Sequence, residues 1–341
     1  MITSEHKAVC LVTGTAGFIG STLAETLLSL GHDVVGIDCF TDYYSRAIKE
    51  SNLAKLLSHE RFCFLENDLL EIDLVAVLRG NRNHEMTRRS LGPTSAAPID
   101  YIFHLAAQAG VRASWGHSFE IYTRNNILAT QRLLEAARQV PARKFVYASS
   151  SSIYGDAESY PTTETLTPRP VSPYGVSKLA GEHLCFLYDR NYLVPTAALR
   201  YFTVYGPRQR PDMAFHRFIR AIEQGQEIQV YGDGEQTRDF TFVEDAVQGT
   251  IAAAFADCSG EAFNLGGGSR VTVNEIIETM ESILGKRAKI KYLSEQKGDV
   301  RHTSADTSKA NATLAYAPKV GLREGLSRES AWLLNAMAAA A

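Results

Sequence analysis

The sequence predicts an α/β protein in which a doubly wound parallel sheet is followed by a smaller α/β lobe. Short apolar segments alternate with amphipathic helices, the order that parallel strands with helical crossovers require. The predicted strands cover residues 8–12, 33–37, 62–65, 101–105, 144–148 and 196–199. Beyond Pro207 the segments shorten and glycine becomes frequent. We therefore expect a nucleotide-binding domain over residues 1–203 and a substrate-binding lobe mainly over 204–341, with some segments returning to the first domain.

Composition and charge exclude several classes of function. The chain has 341 residues with a net charge of −3, so it carries no overall attraction for nucleic acid or for anionic membranes. No apolar run is long enough to span a bilayer, and the short polar N-terminus does not resemble a signal peptide. The 5 cysteines lack metal-ligand spacing. We expect reduced thiols, no metal site and a cytoplasmic location.

A glycine-rich turn after the first predicted strand indicates a dinucleotide site. Gly14, Gly17 and Gly20 are three residues apart, and the turn opens a helix that leads to a second strand ending on Asp38. This order is the context of the Rossmann fingerprint, in which backbone N–H groups and a helix N-terminus meet a pyrophosphate. Asp38 can accept hydrogen bonds from the adenosine ribose, and its charge repels a 2′-phosphate. The Asp38 carboxylate therefore favours binding of NAD over binding of NADP.

The remaining cofactor contacts are expected at the carboxyl ends of the strands, where parallel sheets bind their ligands. Small residues after the fourth strand let a cofactor lie close to the backbone, and Asn126 lies on the helix that follows. The predicted contacts besides the three glycines and Asp38 are Phe18, Ile19, Asp68, Leu69, Leu105, Ala106, Ala107, Asn126, Ser149, Tyr174, Lys178 and Tyr201.

The segment 79–98 departs from this regular pattern. It is polar, basic and aperiodic, and it separates the third predicted strand from the fourth. We interpret it as an inserted surface loop whose arginines are solvated. A phosphate-binding lid is the alternative interpretation.

A tyrosine and a lysine four residues apart follow a run of serines at 149–152. Ser172 is a good N-cap and Pro173 suits the first helical position, so Tyr174 and Lys178 are expected on one helix face. A free phenol has a pKa of roughly 10, which makes it a poor base at neutral pH. A nearby ammonium favours the phenolate, and a serine hydroxyl completes a proton path.

These motifs together resemble the extended short-chain dehydrogenase/reductase family, which acts on nucleotide-diphosphate sugars with tightly held NAD. The residues that carry the resemblance are Thr13-Gly14-x-x-Gly17-Phe18-Ile19-Gly20, Asp38, the serines at 149–152, Tyr174-x-x-x-Lys178 and Arg238-Asp239-Phe240. The resemblance implies that Tyr174 is the base, Lys178 its partner and Ser150 the hydroxyl that assists it, with Ser151 adjacent.

The residues before Tyr154 bear on the type of reaction. Family members that dehydrate their sugar resemble a Thr-Asp-Glu arrangement there, and nucleotide-glucuronate decarboxylases resemble Thr-Ser-Glu. This chain has Ser151 and Ser152 at the last two positions and so offers no carboxylate for eliminating water. The resemblance therefore implies 4-epimerisation, an isomerase reaction.

The substrate is indicated by a segment that carries Thr203 and Arg210, together with Gln108-Ala109-Gly110-Val111-Arg112. These residues are similar to those of UDP-glucuronate 4-epimerases, whereas galactose-type epimerases have Asn at the position of Thr203. The resemblance implies conversion of UDP-glucuronic acid to UDP-galacturonic acid through a 4-keto intermediate, without decarboxylation and with NAD regenerated in each cycle. Arg210 and Thr203 are expected to bind the sugar carboxylate. The expected sugar contacts also include Gln108, Arg112, Ser150, Ser151, Ser152 and Tyr174.

Other assignments stay open. Arg238 and Arg301 are candidates for the diphosphate, while Arg208 and Arg210 can instead bind diphosphate or surface carboxylates, and Arg112 can be a solvated arginine. A neutral UDP-sugar 4-epimerase acting on UDP-glucose or UDP-N-acetylglucosamine, a UDP-glucuronate decarboxylase and an inactive NAD-binding scaffold are the alternative functions. In relatives, the helices that begin at Phe119 and Pro173 pack as a four-helix dimer interface, so the resemblance implies a homodimer.

Overall fold

The computed structural model describes residues 7–81, 96–294 and 298–339. The strands are β1 Val9–Thr13, β2 Asp33–Asp38, β3 Phe62–Glu66, β4 Tyr101–His104, β5 Lys144–Ser150, β6 Thr196–Tyr201, β7 Val204–Tyr205, β8 Glu227–Tyr231, β9 Thr237–Asp239, β10 Thr241–Phe242, β11 Glu261–Leu265, β12 Arg270–Thr272 and β13 Lys289–Leu293. The α-helices are α1 Phe18–Ser29, α2 Arg46–Leu57, α3 Leu74–Leu78, α4 Phe119–Tyr122, α5 Ala129–Gln139, α6 Pro173–Tyr192, α7 Ala214–Gln224, α8 Val243–Phe255, α9 Val273–Leu284, α10 Ser308–Leu314 and α11 Leu322–Ala339.

Seven parallel strands form the central sheet, in the order β11-β6-β5-β4-β1-β2-β3. The strands are nearly continuous runs of buried residues, as expected where helices cover both faces of a parallel sheet. The chain order reverses between β1 and β4, which creates the crevice in which such sheets bind ligands. The predicted doubly wound α/β fold is therefore confirmed.

Six strands of this sheet match the sequence prediction, and the seventh comes from far along the chain. Strand β11 pairs with β6 from the contact of Glu261 with Ala197 to that of Leu265 with Tyr201. The other short strands form two-stranded pairs: β7 with β10, β9 with β12 and β8 with β13. These small pairs lie in the C-terminal part of the sequence and supply the loops that face the ends of the main strands.

The predicted helix over residues 119–139 is interrupted. It begins as α4, widens into a π-helical segment, Thr123–Leu128, and continues as α5. Asn126 lies in the wide turn, with its side chain buried. Such π-segments often occur at functional sites.

Helix α6 begins where the sequence predicts. The Ser172 side chain accepts a hydrogen bond from Gly175 N–H at 3.1 Å, and Pro173 occupies the first helical turn. Leu193, with a left-handed backbone, ends the helix. Tyr174 and Lys178 are thereby fixed on the first two turns of a 20-residue helix.

The predicted insert lies largely outside the described residues, since 82–95 are not part of them. Its flanks are described: α3 ends at Leu78, and Ile99 N–H donates to Leu78 O at 2.9 Å. The insert's role remains a prediction, as does the domain boundary at residue 203.

Candidate active site

The glycine-rich turn brings the backbone of β1, the start of α1 and the end of β4 into close contact. A Cβ at Gly20 would lie 2.1 Å from Gly14 O, and one at Gly14 would lie 2.9 Å from Ala106 N. Gly14 also has a positive φ of 72°. No side chain fits between these segments, so the N-terminus of α1 opens directly onto the cavity. This geometry fits a dinucleotide pyrophosphate.

Asp38 stands at the end of β2 and lines the same cavity. Its Oδ1 accepts from Phe40 N–H at 2.9 Å and its Oδ2 from Ala16 N–H at 3.1 Å. Burial raises the pKa of the Asp38 carboxyl, while these two bonds and the Lys49 ammonium oppose the shift. The carboxylate is fixed at the position where a ribose diol would be recognised.

The cavity contains the predicted cofactor residues with one exception. The predicted contacts in its lining are Gly14, Gly17, Phe18, Ile19, Gly20, Asp38, Asp68, Leu69, Leu105, Ala106, Ala107, Ser149, Tyr174, Lys178 and Tyr201. Asn125 lines the cavity, whereas Asn126 is 1% exposed and braces the structure. Asn126 Oδ1 accepts from Gln108 N–H at 2.7 Å, and Nδ2 donates to Ser177 Oγ at 2.8 Å.

Tyr174 lies within this cavity and is the candidate base. Burial raises the pKa of the Tyr174 phenol. A hydrogen bond from the Ser150 hydroxyl and the positive charge of Arg210 both act to lower that pKa. Ser150 ends β5, and its Oγ also accepts from Ser152 N–H at 3.1 Å. The serine and the arginine are therefore the groups that favour the phenolate.

Lys178 lines the cavity one helical turn after Tyr174. Its Nζ donates to Ala148 O at 2.7 Å and lies 5.0 Å from the centre of the Tyr147 ring. Burial lowers the pKa of the Lys178 ammonium to about 7. The hydrogen bond from Ser150 and the charge of Arg210 lower the pKa of the Tyr174 phenol. The role expected of Lys178 as partner of the base stays a prediction.

The serine run divides its side chains between two environments. Ser149 faces the cavity, and its Oγ donates to Glu182 Oε2 at 2.7 Å. Ser151 and Ser152 form the short 3-10 turn that follows β5. Ser150 thus lies against the Tyr174 phenol, and Ser151 and Ser152 lie in the turn that follows β5.

A second cavity adjoins the first and contains the other predicted arginines. Arg112, Thr203, Arg238 and Arg301 all contribute to its lining. Arg112 is paired with Asp299 at 2.5 Å and lies 4.2 Å above the Tyr231 ring. An aromatic ring beneath a cation, next to further arginines, suits a nucleoside diphosphate.

Arg238 is the most enclosed of these arginines. Burial lowers the pKa of Arg238, and the nearby Asp299 acts in the opposite direction. Its Nη1 donates to the carbonyl oxygens of Thr237 at 2.9 Å and of Arg301 at 3.0 Å. Arg301 is itself paired with Asp233 at 2.8 Å. The cationic side of this cavity is therefore interleaved with carboxylates.

Arg210 lies on the cofactor side, in the same cavity as Tyr174 and Gln108. Its guanidinium donates to both oxygens of Asp212 at 2.9 Å and lies 5.7 Å from the centre of the Tyr43 ring. Burial alone would lower the pKa of Arg210, but the bonds to Asp212 raise it, so the group stays charged. These bonds occupy only part of its donor set.

Sequence reasoning missed several residues that line the cofactor cavity, among them Tyr43 and Lys49. Tyr43 borders both cavities, and its hydroxyl donates to Asp212 Oδ2 at 3.2 Å. Lys49 belongs to α2, and its Nζ donates to Thr41 O at 2.6 Å. Both are on segments without a glycine or strand-end signal. The pattern of α2 alone would assign Lys49 to a solvated face.

Fold and site together define a dinucleotide-binding α/β enzyme with a buried tyrosine in its cofactor cavity and an adjoining polar cavity. The chain matches the NAD dependent epimerase/dehydratase family over residues 10–266. Because that match covers most of its length, the chain belongs to this family. The expected NAD cofactor and the expected family are thereby confirmed.

Several relatives resemble the chain over nearly its full length. A Bacillus subtilis protein named as an uncharacterized UDP-glucose epimerase, YtcB, is 43% identical over 95% of this chain and 97% of its own. A UDP-glucuronate 4-epimerase of Thermodesulfobacterium geofontis is 39% identical over 94% and 95%. The crystal structure of the Bacillus cereus UDP-glucuronic acid 4-epimerase with UDP-glucuronic acid and NAD superposes with a TM-score of 0.89 at 43% identity, covering 96% and 99%.

None of the described helices has the length and apolar character needed to cross a bilayer. The described residues also contain no cluster of His, Cys, Asp and Glu suited to a metal ion.

Proposed function

We propose that the protein is an NAD-dependent 4-epimerase that interconverts UDP-glucuronic acid and UDP-galacturonic acid. The observation that carries this proposal is the location of Arg210 in the same cavity as Tyr174. A cation beside the candidate base is suited to a hexose that bears a carboxylate next to its reacting carbon.

The reaction begins at the sugar 4-hydroxyl. Tyr174 takes its proton while Ser150 hydrogen-bonds at the phenol, and Arg210 stabilises the phenolate electrostatically. Bound NAD supplies a reversible hydride acceptor for C4. After the sugar has turned over, hydride return to the opposite face of C4 and proton return from Tyr174 to the 4-oxygen would complete the inversion. Tyr174, Ser150 and Arg210 thus act first on one face of the sugar and then on the opposite face.

The adjoining cavity explains how the nucleotide stays bound while the sugar turns. Arg112, Arg238 and Arg301 line that cavity, away from Tyr174. They can hold the diphosphate by charge-assisted hydrogen bonds. Rotation about the diphosphate linkage then presents the opposite face of the sugar to the base.

A 4-keto glucuronate is a β-keto acid and is prone to lose CO2. In that loss the C5–C6 bond breaks, its electron pair forms an enolate with the ketone, and a proton is then taken up at C5. The bond must be aligned with the ketone π system. Arg210, together with Thr203 of the adjoining cavity, holds the carboxylate out of that alignment.

The comparisons favour this sugar and also provide the second candidate. Relatives named as UDP-glucuronate 4-epimerases and the Bacillus cereus complex support the acidic sugar. The name of YtcB favours UDP-glucose instead. The charge of Arg210 beside the base favours an acidic sugar over a neutral one, because its bonds to Asp212 leave part of its donor set available for a second carboxylate.

Product analysis tests the proposal. Incubation with UDP-glucuronic acid should give UDP-galacturonic acid by NMR, with no UDP-pentose, and UDP-glucose and UDP-N-acetylglucosamine should react much more slowly. Arg210→Ala should release UDP-pentose. An unchanged rate and an unchanged epimer without pentose in Arg210→Ala would remove the proposed role of Arg210. Faster turnover of UDP-glucose by the parent protein would favour the second candidate.

We also propose that the protein acts as a homodimer in the cytoplasm. Helices α4 and α6 and the π-segment expose apolar side chains, among them Ile121 at 48%, Val176 at 45% and Leu187 at 55%. Val176 and Leu187 are three turns apart and share one face of α6. Pairing of this face with a second copy would form a four-helix bundle. Sedimentation analysis of the parent and of Leu187→Glu tests this assembly.

A further inference from the structure

The loop of residues 206–212, here called the arginine loop, connects β7 to α7. It begins with a tight turn in which Gln209 N–H donates to Gly206 O at 3.0 Å. Pro207 takes the second position of the turn, and Arg208 takes the third with a φ of 71°. A proline followed by a residue with positive φ is the pattern of a type II turn, whose third position ordinarily takes glycine. Arg208 therefore adopts a backbone conformation that its Cβ disfavours.

The Arg208 side chain leaves the arginine loop and contacts α1. Its Nη2 donates to Glu25 Oε1 at 2.7 Å and its Nη1 donates to Ser21 Oγ at 3.3 Å. Both charged side chains are 21% exposed, so solvent screens this pair less than a surface ion pair. Helix α1 is the helix whose N-terminus opens onto the cofactor cavity. Arg208 therefore ties the arginine loop to the cofactor-binding helix.

Further contacts fix the rest of the loop. Glu329 on α11 accepts from Gly206 N–H at 2.8 Å, which anchors the start of the turn. Met213 N–H donates to Arg210 O at 3.1 Å at the far end. Arg210 lies two residues after Arg208. The backbone of Arg210 is therefore held between the contact of Arg208 with α1 on one side and the start of α7 on the other.

We propose that the Arg208–Glu25 ion pair is a positioning contact that fixes Arg210 beside Tyr174 and so governs how firmly the enzyme holds an acidic hexose. This inference rests on the proposed function, which assigns the sugar carboxylate to Arg210. Among the described residues, the lining of the two cavities includes Arg210 but neither Arg208 nor Glu25. The ion pair acts through the loop, and it does not touch the sugar.

The consequence is specific to acidic sugars. When the ion pair is lost, the turn can relax toward a less strained backbone, and the Arg210 guanidinium moves with Asp212. The sugar carboxylate then gains freedom to rotate toward the ketone π system. Binding of the neutral sugar and of NAD does not involve Arg210's charge and stays as in the parent.

The experiment compares four single variants and one double variant of the holoenzyme. Arg208→Gly removes the side chain and also the unfavourable Cβ, Arg208→Ala removes the side chain but keeps a Cβ at positive φ, and Glu25→Gln keeps the shape of its partner. Lys55→Met is the matched control, because Lys55 contacts the other carboxylate oxygen of Glu25 at 3.5 Å from an exposed position. Measurements are the KM and product ratio with UDP-glucuronic acid, the Kd of UDP-glucose and the content of bound NAD.

We expect Arg208→Ala and Glu25→Gln each to raise KM for UDP-glucuronic acid about fivefold and to release UDP-pentose, as for loss of a partly buried ion pair. The Arg208→Ala/Glu25→Gln double variant should be no worse than either single one, because the two changes remove the same contact. Arg208→Gly should lie between Arg208→Ala and the parent, because glycine accommodates the positive φ and removes the strain that makes the turn relax. Lys55→Met should match the parent. NAD content and the Kd of UDP-glucose should stay unchanged.

Two results would overturn the inference. One is a parent-like KM and product ratio in both Arg208→Ala and Glu25→Gln. The other is an equal weakening of UDP-glucose binding or loss of NAD, which indicates a general structural role. A parent protein that makes no UDP-galacturonic acid refutes the proposed function separately. In that case the ratio of Kd values for UDP-glucuronic acid and UDP-glucose in the variants still decides the role of the ion pair.

Discussion

The cofactor cavity and the adjoining sugar-nucleotide cavity share Tyr43 in their walls, yet they are built in opposite ways. The glycine-rich end of the first consists of backbone segments in contact at Gly14, Gly17 and Gly20, with no room for a side chain. The second consists of long charged side chains from distant loops, such as Arg112 paired with Asp299. One site therefore depends on the close approach of main chains, and the other on a balance of charges.

This difference predicts how each site responds to substitution. A change in the backbone-built cavity should act in an all-or-none manner, because a new atom there overlaps with main chain that cannot move aside. A change in the charge-built cavity should alter affinity in steps, because solvent and neighbouring carboxylates compensate in part.

Gly20→Ala should abolish NAD binding and activity. The added Cβ would lie 2.1 Å from Gly14 O, so the glycine-rich turn has to shift. The measurement is the nucleotide released on denaturation, together with the unfolding temperature. Gly321→Ala is the control, because its Cβ would meet no atom within 4 Å. A Gly20→Ala protein with full NAD content would contradict the account of the backbone-built cavity.

Tyr174→Phe should lower kcat by about 10³-fold, the scale expected for loss of a positioned base. The phenyl ring of the variant occupies the same place as the ring of Tyr174, so the content of bound NAD should not change. Tyr292→Phe serves as the control, since that side chain is 51% exposed and its hydroxyl bonds to Asn274. Retention of more than a tenth of the parent activity would exclude Tyr174 as the base.

Arg210→Ala should shift the acidic limb of the pH profile of kcat/KM to higher pH. The positive charge of Arg210 lowers the pKa of the Tyr174 phenol, so its removal raises that pKa. Activity that requires the phenolate grows as pH rises through this pKa, and the limb therefore moves in the alkaline direction. Arg220→Ala, on the exposed side of α7, should leave the profile in place. A shift toward lower pH would contradict the electrostatic role.

Asp299→Asn should strengthen binding of UDP by about threefold, the scale of a partly exposed ion pair. The Asp299 carboxylate occupies Arg112 and adds negative charge near Arg238, and both effects oppose a diphosphate. Calorimetric titration with UDP provides the measurement. Weaker binding of UDP would show that Asp299 orients Arg112 for the ligand and does not compete with it.

The contrast between the two cavities also explains what could be predicted from the sequence. Glycine spacing and strand ends are local signals, so Gly14, Asp38 and Ala106 were assigned to the cavity that they line. Asp299 and Tyr43 reach their cavity only through tertiary packing of loops, and no local pattern marks them.

Asn126 shows a limit of a different kind. Its position on a regular helix predicts that it faces the cofactor. The π-helical segment changes which residue faces inward, so Asn125 reaches the cavity and Asn126 braces Gln108. Widened helical turns have no reliable sequence signature. The sequence therefore pointed to Asn126, whereas the neighbouring side chain, Asn125, lines the cavity.

The placement of β11 has a consequence for how the protein is made. This strand, Glu261–Leu265, pairs along β6 at the edge of the central sheet, although some sixty residues separate the two in the chain. A ribosome has to synthesise the chain through Leu265 before the last partner of the sheet emerges. Until then, β6 presents an unpaired edge that other chains can join. Synthesis that stalls between the two strands would leave the nascent chain exposed to aggregation and dependent on chaperones.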